Sequence, residues 1–586
     1  MKKFICLSFV SLILSSCTIF RIQEFGHTPL KPGRYPEFTP RDYLTGQLDE
    51  YRAGYDVTYY DMDLQLDPDK YTLGGDVIIH LRALSRLKNI RFDLHKNLKI
   101  TSLKFSGTEI PFVREESAVM ASLPDSMMVG KSYRLEVAYK GKPVMAKKPP
   151  WSGGVVWKED RNKNPWVGVA CETEGARIWF PCKDHLSDEP DSTRLRMTVP
   201  GGLQVVSNGI LKSHTSQTGT ETYTWITHYP VNIYNITFYA GIFRHFSDTM
   251  TTNQGILNLD YYVLPENYKQ AREHFRQVKG VIHSFEGFFG PYPWMKDGYK
   301  LIEGPFGGME HQTAIAYGSA YRNLPALGGD DMIVHETAHE WWGNAVSVSD
   351  FSDIWLQEGF ATYSEILFAE KTKGYESSLL YARHYISSMI NNKLPVVGPT
   401  DVSYWDSGDN DVYNKGAMIL HTMRNIINDS TLFFEILQTF YSEHAAKSHV
   451  TSSDFIELVE RKTGKDWSQF FKVYLYQREV PVLQICYCTY NTDQVPVVTD
   501  SGSATYIAAR WINVPEGFIM PVDMNYSDGE TQVILEVSAK ASLFKLFDMA
   551  PITKWRHMEP GNKWICNKRF SYFQTITDES LLNEVL

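Results

Sequence analysis

Apolar and polar residues alternate with a period of two through much of the first 245 positions. The run Met62-Asp63-Leu64-Gln65-Leu66, preceded by Val57 and Tyr59, puts every second side chain on one face. Asp67-Pro68 closes that run, and Gly74-Gly75 turns the chain into Val77-Ile78-Ile79-His80-Leu81. Similar short runs recur at 195–199 and 223–226, a spacing that predicts a β-sandwich. The pattern changes near position 265. Residues 266–289 carry helix formers and stop at Gly290-Pro291. Beyond a glycine-rich loop at 304–308, helical periodicity dominates to about 478, with Ser453-Asp454 capping a helix that Gly464 ends, and a further helix over 467–476. From Val480 to about 573 strand patterns return, as in Val533-Ile534-Leu535-Glu536-Val537. The expected architecture is multidomain α+β. It has an N-terminal β-sandwich over 46–245, an α-rich domain over 246–478 and a small C-terminal β-sandwich over 479–586.

The start of the chain reads differently. Lys2 and Lys3 precede an apolar run from Phe4 to Leu14, too short for the roughly 20 residues that span a bilayer, so residues 1–16 read as a signal peptide. The run ends Leu14-Ser15-Ser16-Cys17, which resembles the lipobox of bacterial lipoproteins; the resemblance implies a lipid on Cys17 after cleavage before it. Pro29, Pro32, Pro36 and Pro40 mark residues 17–45 as a lipidated N-terminus and an extended, solvated linker. The expectation is an exported bacterial lipoprotein, on the periplasmic side of a membrane or on the cell surface.

Composition narrows the partners. The 586 residues carry a formal charge of −10, which becomes −12 when the two lysines of the signal peptide are removed. That balance argues against nucleic acid, which demands basic patches. Of seven cysteines, Cys171, Cys182, Cys486, Cys488 and Cys566 remain after cleavage and lipidation, an odd number that does not read as a disulfide framework. Cys486 and Cys488 lie in a strand-like run without a second pair and read as structural.

The chemistry sits in the α-rich domain. In His335-Glu336-Thr337-Ala338-His339 the two histidines are four residues apart, on one face of a helix that Asp330 or Asp331 can cap. Two imidazoles there can share a zinc ion, with Glu336 placed as a general base. A catalytic zinc wants three protein ligands, and Glu358 follows nineteen residues after His339, beyond a helix break at Gly343-Asn344. Asp353 can cap the second helix, and an αα-hairpin brings Glu358 back onto the imidazoles. Glu365, two turns further on, can orient a ligand histidine or stand exposed.

This spacing, with the flanks Glu340-Trp341-Trp342-Gly343-Asn344 and Trp355-Leu356-Gln357-Glu358-Gly359-Phe360, resembles the gluzincins of the aminopeptidase N and leukotriene hydrolase family, across essentially the whole chain after the signal. The resemblance implies a thermolysin-like catalytic domain, one Zn2+ held by His335, His339 and Glu358, and an aminopeptidase acting on peptides with a free N-terminus. It also implies roles for three further segments. Gly307-Gly308-Met309-Glu310-His311 is similar to a family signature in a strand facing the metal, in which Glu310 grips the substrate's α-amine and the glycines let its backbone approach. His311 departs from the usual Asn there and introduces a group that can titrate near neutral pH. In Cys171-Glu172-Thr173-Glu174, Glu172 matches a second amine anchor, with Glu174 as the alternative. Tyr413, in Tyr413-Asn414-Lys415-Gly416-Ala417-Met418, matches the family's oxyanion tyrosine. The same zinc scaffold also serves endopeptidases and a bifunctional epoxide hydrolase, and a lipid-anchored peptide-binding protein without catalysis is a reading of another class. The long helical domain of larger relatives is not expected here, which implies a more open cleft.

Overall fold

The computed structural model describes residues 35–585 apart from 319–320, 405–408, 447–448, 491–495, 499–505, 526–531, 546–564, 568 and 570. Cys17 and the signal segment lie outside the described residues. The period-two runs are strands. Tyr55–Asp67 and Thr72–Ala83 pair as a long antiparallel hairpin, and the first of them alternates buried and more exposed positions. They form the middle of an eight-stranded sheet in which Tyr55–Asp67 also pairs in parallel with Ser192–Pro200. A four-stranded sheet that includes Gly154–Glu159 and Pro165–Ala170 packs with it, and a three-stranded sheet completes the β layers. The strand Arg244–Thr252 belongs with Gly255–Val263, Tyr299–Glu303 and Ile315–Tyr317 in a separate sheet of the α-rich domain. The expected boundary at 245 therefore cuts a strand and moves a few residues toward the N-terminus.

The helices of the middle domain follow the sequence pattern, with two differences at their caps. The helix Ser452–Thr463 begins with a capping box of Thr451 and Asp454, not at Ser453; Gly464 ends it as expected. Asp353 does not cap the helix Trp355–Lys373. Its carboxylate accepts from the backbone N–H and hydroxyl of Ser452, so it serves the start of a different helix 99 residues away. After Tyr476 the chain enters a β sandwich: Val482–Tyr490 with its partners forms one sheet, and Ile519–Asn525 with Gln532–Ser538 and Ile565–Cys566 forms the other. Trp511 closes the core between them against Phe518 and Phe573. Cys171, Cys182 and Cys486 are buried thiols without disulfides.

The linker expectation is corrected from residue 35 onward. Pro40–Gly46 is a helix opened by a Thr39–Asp42 capping box. The Tyr35 hydroxyl donates to the carbonyls of Pro395 and Val397, and Tyr35 and Phe38 pack edge-on against Tyr404. Aromatic anchors bind this segment to the body where proline content suggested extension into solvent. Among the described residues no helix is long and apolar enough to cross a membrane.

The β and α-rich domains also meet through a half-buried pair of titratable groups. Glu189 of the first lies 3.7 Å from His449 of the second. Burial pushes the Glu189 carboxyl up to about 7 and the His449 imidazole down to about 4. A carboxyl that holds its proton more tightly when folded contributes fully below its ordinary value of 4.5, and that contribution is lost as pH rises through about 7. Glu189→Gln should therefore stabilise the protein at pH 8 by about 2–3 kcal/mol, a few degrees in Tm, and by much less at pH 5. Thermal melts of both proteins at the two pH values decide this; an equal shift at both would show that ionisation of Glu189 is not the cause.

Candidate active site

Two helices carry the metal-ligand set. Asp330 caps Asp331–Ala338 by accepting from the Ile333 N–H, and this fixes His335 in the last turn and His339 at the helix end. The chain then turns at Gly343 and returns as Trp355–Lys373, which brings Glu358 opposite both rings. His335 Nε2 and His339 Nε2 are 3.2 Å apart, and Glu358 Oε2 lies 3.5 Å from the first and 3.4 Å from the second. Tetrahedral zinc with bonds of about 2.0–2.1 Å requires ligand–ligand edges of about 3.3–3.4 Å, so the three atoms already form one face of such a site. Glu358 Oε2 is buried without a hydrogen-bond partner among the described residues, an acceptor whose need a cation would meet.

The outer partners fix which ring nitrogen faces the metal position. His339 Nδ1 donates to the carbonyl of Trp342 at 2.9 Å; a carbonyl can only accept, so Nε2 is left with its lone pair inward. His335 Nδ1 meets Glu365 Oε1 at 2.7 Å, and the Tyr381 hydroxyl donates to the other oxygen of Glu365 at 2.5 Å. Glu365 is therefore a buried partner of a ligand histidine, not an exposed carboxylate. Burial opposes charging of these imidazoles, but Glu358 and Glu365 beside His335, and Glu358 with Glu310 beside His339, outweigh it and raise both. Burial would raise Glu358, yet His339 and His335 hold it down to about 2.

Glu336 lies at the edge of this cluster. Its depth in the cleft pushes its carboxyl up to about 8, against the opposing pull of His335 and His339. A Cβ on Gly308 would stand 2.1 Å from Glu336 Oε1, so a side chain at 308 would displace the glutamate. The glycine makes room for Glu336 itself, where the sequence suggested only room for substrate. Residues 307–311 lie between Tyr299–Glu303 and Ile315–Tyr317 rather than in a regular strand. Met309 makes a single bridge to Ala316.

Glu310 and Glu172 come together as expected. Oxygen atoms of Glu172, Glu310 and Glu358 all lie within 4.8 Å of one another, and Glu172 Oε1 is buried without a partner among the described residues. Burial, then the neighbouring carboxylates, pushes Glu172 well above the usual range; Glu310 is raised as well, first by burial. Glu174 instead accepts from the Gly153 N–H at 2.6 Å, which leaves Glu172 as the carboxylate grouped with Glu310 and Glu358. His311 departs from expectation. It is fully buried, its Nδ1 meets the Tyr239 hydroxyl at 2.6 Å, and burial drives it down to about 3, so it stays neutral where a titrating group was anticipated. Tyr413 stands with its ring 6.1 Å from that of His335. Close packing of Gly359 on Gly416, where a Cβ would come within 2.9 Å of the opposing Cα, brings its helix against the one that carries Glu358.

Several supporting residues were not read from the sequence. The Tyr234 hydroxyl donates to Glu310 at 2.8 Å and accepts from Gln357 at 3.0 Å. Asn344 donates to the Glu310 carbonyl and accepts from Asn235. Gln357, adjacent to a ligand, was within reach of sequence reasoning; Tyr234 and Asn235 carry no local signal.

Two family descriptions match this chain: the Peptidase M1 N-terminal domain over residues 57–234 and the Peptidase family M1 domain over 275–474. The chain belongs to peptidase family M1. Relatives include a probable aminopeptidase 2 of Sulfurisphaera tokodaii, 24% identical over 66% of this chain and 50% of its own. Aminopeptidase B of Rattus norvegicus is 24% identical over 69% of this chain and 65% of its own. The chain thus spans about half to two-thirds of the length of these curated relatives. An M1 zinc metallopeptidase mutant of Deinococcus radiodurans superimposes with a TM-score of 0.62 at 23% identity, covering 73% of this chain and 95% of that one. The M1 fold and its zinc chemistry agree with the donor set His335, His339 and Glu358.

If Glu365 orients His335, Glu365→Ala should weaken zinc binding by about 10–100-fold. Competition against a chromogenic chelator measures it, and an affinity equal to wild type would make the carboxylate a bystander.

Proposed function

We propose that this chain is a zinc-dependent aminopeptidase that removes N-terminal residues from peptides. One observation carries the reading: Glu172 and Glu310 stand within 4.8 Å of Glu358. Carboxylates that close to the metal position leave space on the amine side for a single residue, and they suit an ammonium group. An endopeptidase needs that side open.

His335, His339 and Glu358 would hold the zinc, which when bound would supply Lewis acidity for the scissile carbonyl and for water. Glu310, braced by Tyr234, and Glu172 hold the α-ammonium and so set the register of the peptide. Glu336, beside the metal ligands at the cleft, takes a proton from water and delivers it to the leaving amine. The Tyr413 phenol, kept protonated by burial and then by the nearby carboxylates, donates to the oxyanion. Gly307, Gly308 and Met309 form the wall along which the substrate backbone lies, and His311, fully buried against Tyr239, supports that wall from behind. The free-amine peptide is the partner this site fits.

Glu336→Gln should retain zinc and lose at least ~10²-fold in turnover of a leucyl anilide, because the ligands remain and the base is gone. Elemental analysis and kinetics on the same preparation decide it; near-normal activity in the zinc-loaded variant would remove Glu336 from the mechanism.

The lipobox-like Leu14-Ser15-Ser16-Cys17 supports export and membrane attachment through a lipid on Cys17 as part of the same proposal. Cys17→Ser should release the protein into the soluble fraction and abolish labelling by palmitate. Wild type that is unlabelled and soluble would leave a plain signal peptide.

A further inference from the structure

A groove adjoins the segment that carries Gly308 and Glu310. A cavity of about 560 Å3 lies between the 145–149 loop, the strand Gly154–Glu159 and residues 304–307. Its position relative to the chemistry follows from one segment of chain. Glu310 marks the amine end, Gly308 packs against Glu336, and Gly307 to Gly304 line the groove. A peptide whose ammonium sits at Glu310 and whose scissile bond sits at Glu336 therefore sends its following residues into the groove.

The groove is preformed. Glu174 holds the far loop through the Gly153 N–H, Met145 bridges to Val155, and the Ser152 N–H donates to the Lys148 carbonyl. A Cβ on Gly307 would stand 3.7 Å from Pro150 Cδ, so the loop faces that glycine directly. Trp157, Trp166 and Phe306 give the groove apolar surface. Lys147 and Lys158 line it and are exposed, neither has an ion-pair partner among the described residues, and no lining residue is acidic. The catalytic end holds the glutamates 172, 310, 336 and 358. The cleft is thus acidic at one end and basic at the other, the charge pattern of a short zwitterionic peptide.

We propose that this groove is a subsite for the C-terminal carboxylate of short peptides, read by Lys147 and Lys158, an assignment that rests on the aminopeptidase reading above. Length follows from the same segment. From Glu310 to Gly304 is at most ~20 Å at ~3.3 Å per extended residue. Peptides of about three to six residues place their carboxylate beside the lysines, and longer ones carry it past them.

The test uses the full, zinc-loaded protein and three probes: leucyl p-nitroanilide, Leu-Ala-Ala-Ala, and a Leu-led peptide of about ten residues, the peptides each as free acid and C-terminal amide. The free acid of the short peptide should exceed its amide by about three- to tenfold in kcat/KM, chiefly through KM, because two exposed ion pairs are of that strength. The preference should shrink near 1 M salt and be absent for the long peptide. It should fall to about one in K147A/K158A and reverse in K147E/K158E. Equal rates for short acid and amide by a wild type that hydrolyses the anilide would overturn the subsite while leaving the aminopeptidase reading intact. So would a preference that persists in K147A/K158A. Failure to hydrolyse the anilide as well would overturn both.

Discussion

Four carboxylates from four separate segments converge in one cleft, and the structure around them is organised by their need for positive charge. Glu172, Glu310, Glu336 and Glu358 lie close enough that each disfavours ionisation of its neighbours. Burying uncompensated charge costs several kcal/mol per group. On the proposed reading, a metal ion beside Glu358 and a substrate ammonium beside Glu172 and Glu310 would compensate that charge, each next to a buried carboxylate oxygen without a hydrogen-bond partner among the described residues. The negative cluster is therefore a cost to the folded protein and a source of binding energy for two cations.

Holding such a cluster together requires rigid supports from different parts of the chain. The zinc helix is capped by Asp330, and that carboxylate is itself fixed by His274 and Tyr317. Tyr234 from the β domain ties Glu310 to Gln357, the neighbour of Glu358 on its helix, so the two carboxylates share one hydrogen-bonded support. Asn235 and Asn344 make a parallel brace through the Glu310 carbonyl. The β domain contributes Glu172 directly and stiffens the rest, which explains why the two domains meet through buried polar contacts at the cleft.

The metal-ligand set was legible because helical periodicity is local: residues four apart share a face, and a short hairpin returns Glu358. The β, α, β order was legible from the switch in hydrophobic period. What escaped depends on contacts between distant positions. Tyr234 and Asn235 lie 76 and 109 residues from the groups they brace, and nothing near them marks that role. The segment from Tyr35 packs because aromatic and carbonyl partners near 395–404 await it, which proline content could not reveal. His311 reads as titratable from its residue type, but burial against Tyr239 keeps it neutral. Gly308 is required by the reach of Glu336, a tertiary contact that the motif does not state.

The most direct measurement of the account compares one short peptide with its N-acetylated form in wild type and in Glu310→Ala. If the paired carboxylates hold the α-ammonium, the free peptide should be favoured by on the order of 10²–10⁴ in kcat/KM, since two charge-assisted contacts are lost on acetylation. Glu310→Ala should narrow that ratio by slowing the free peptide. Comparable hydrolysis of free and acetylated peptide by the wild type would contradict the account and make the site that of an endopeptidase.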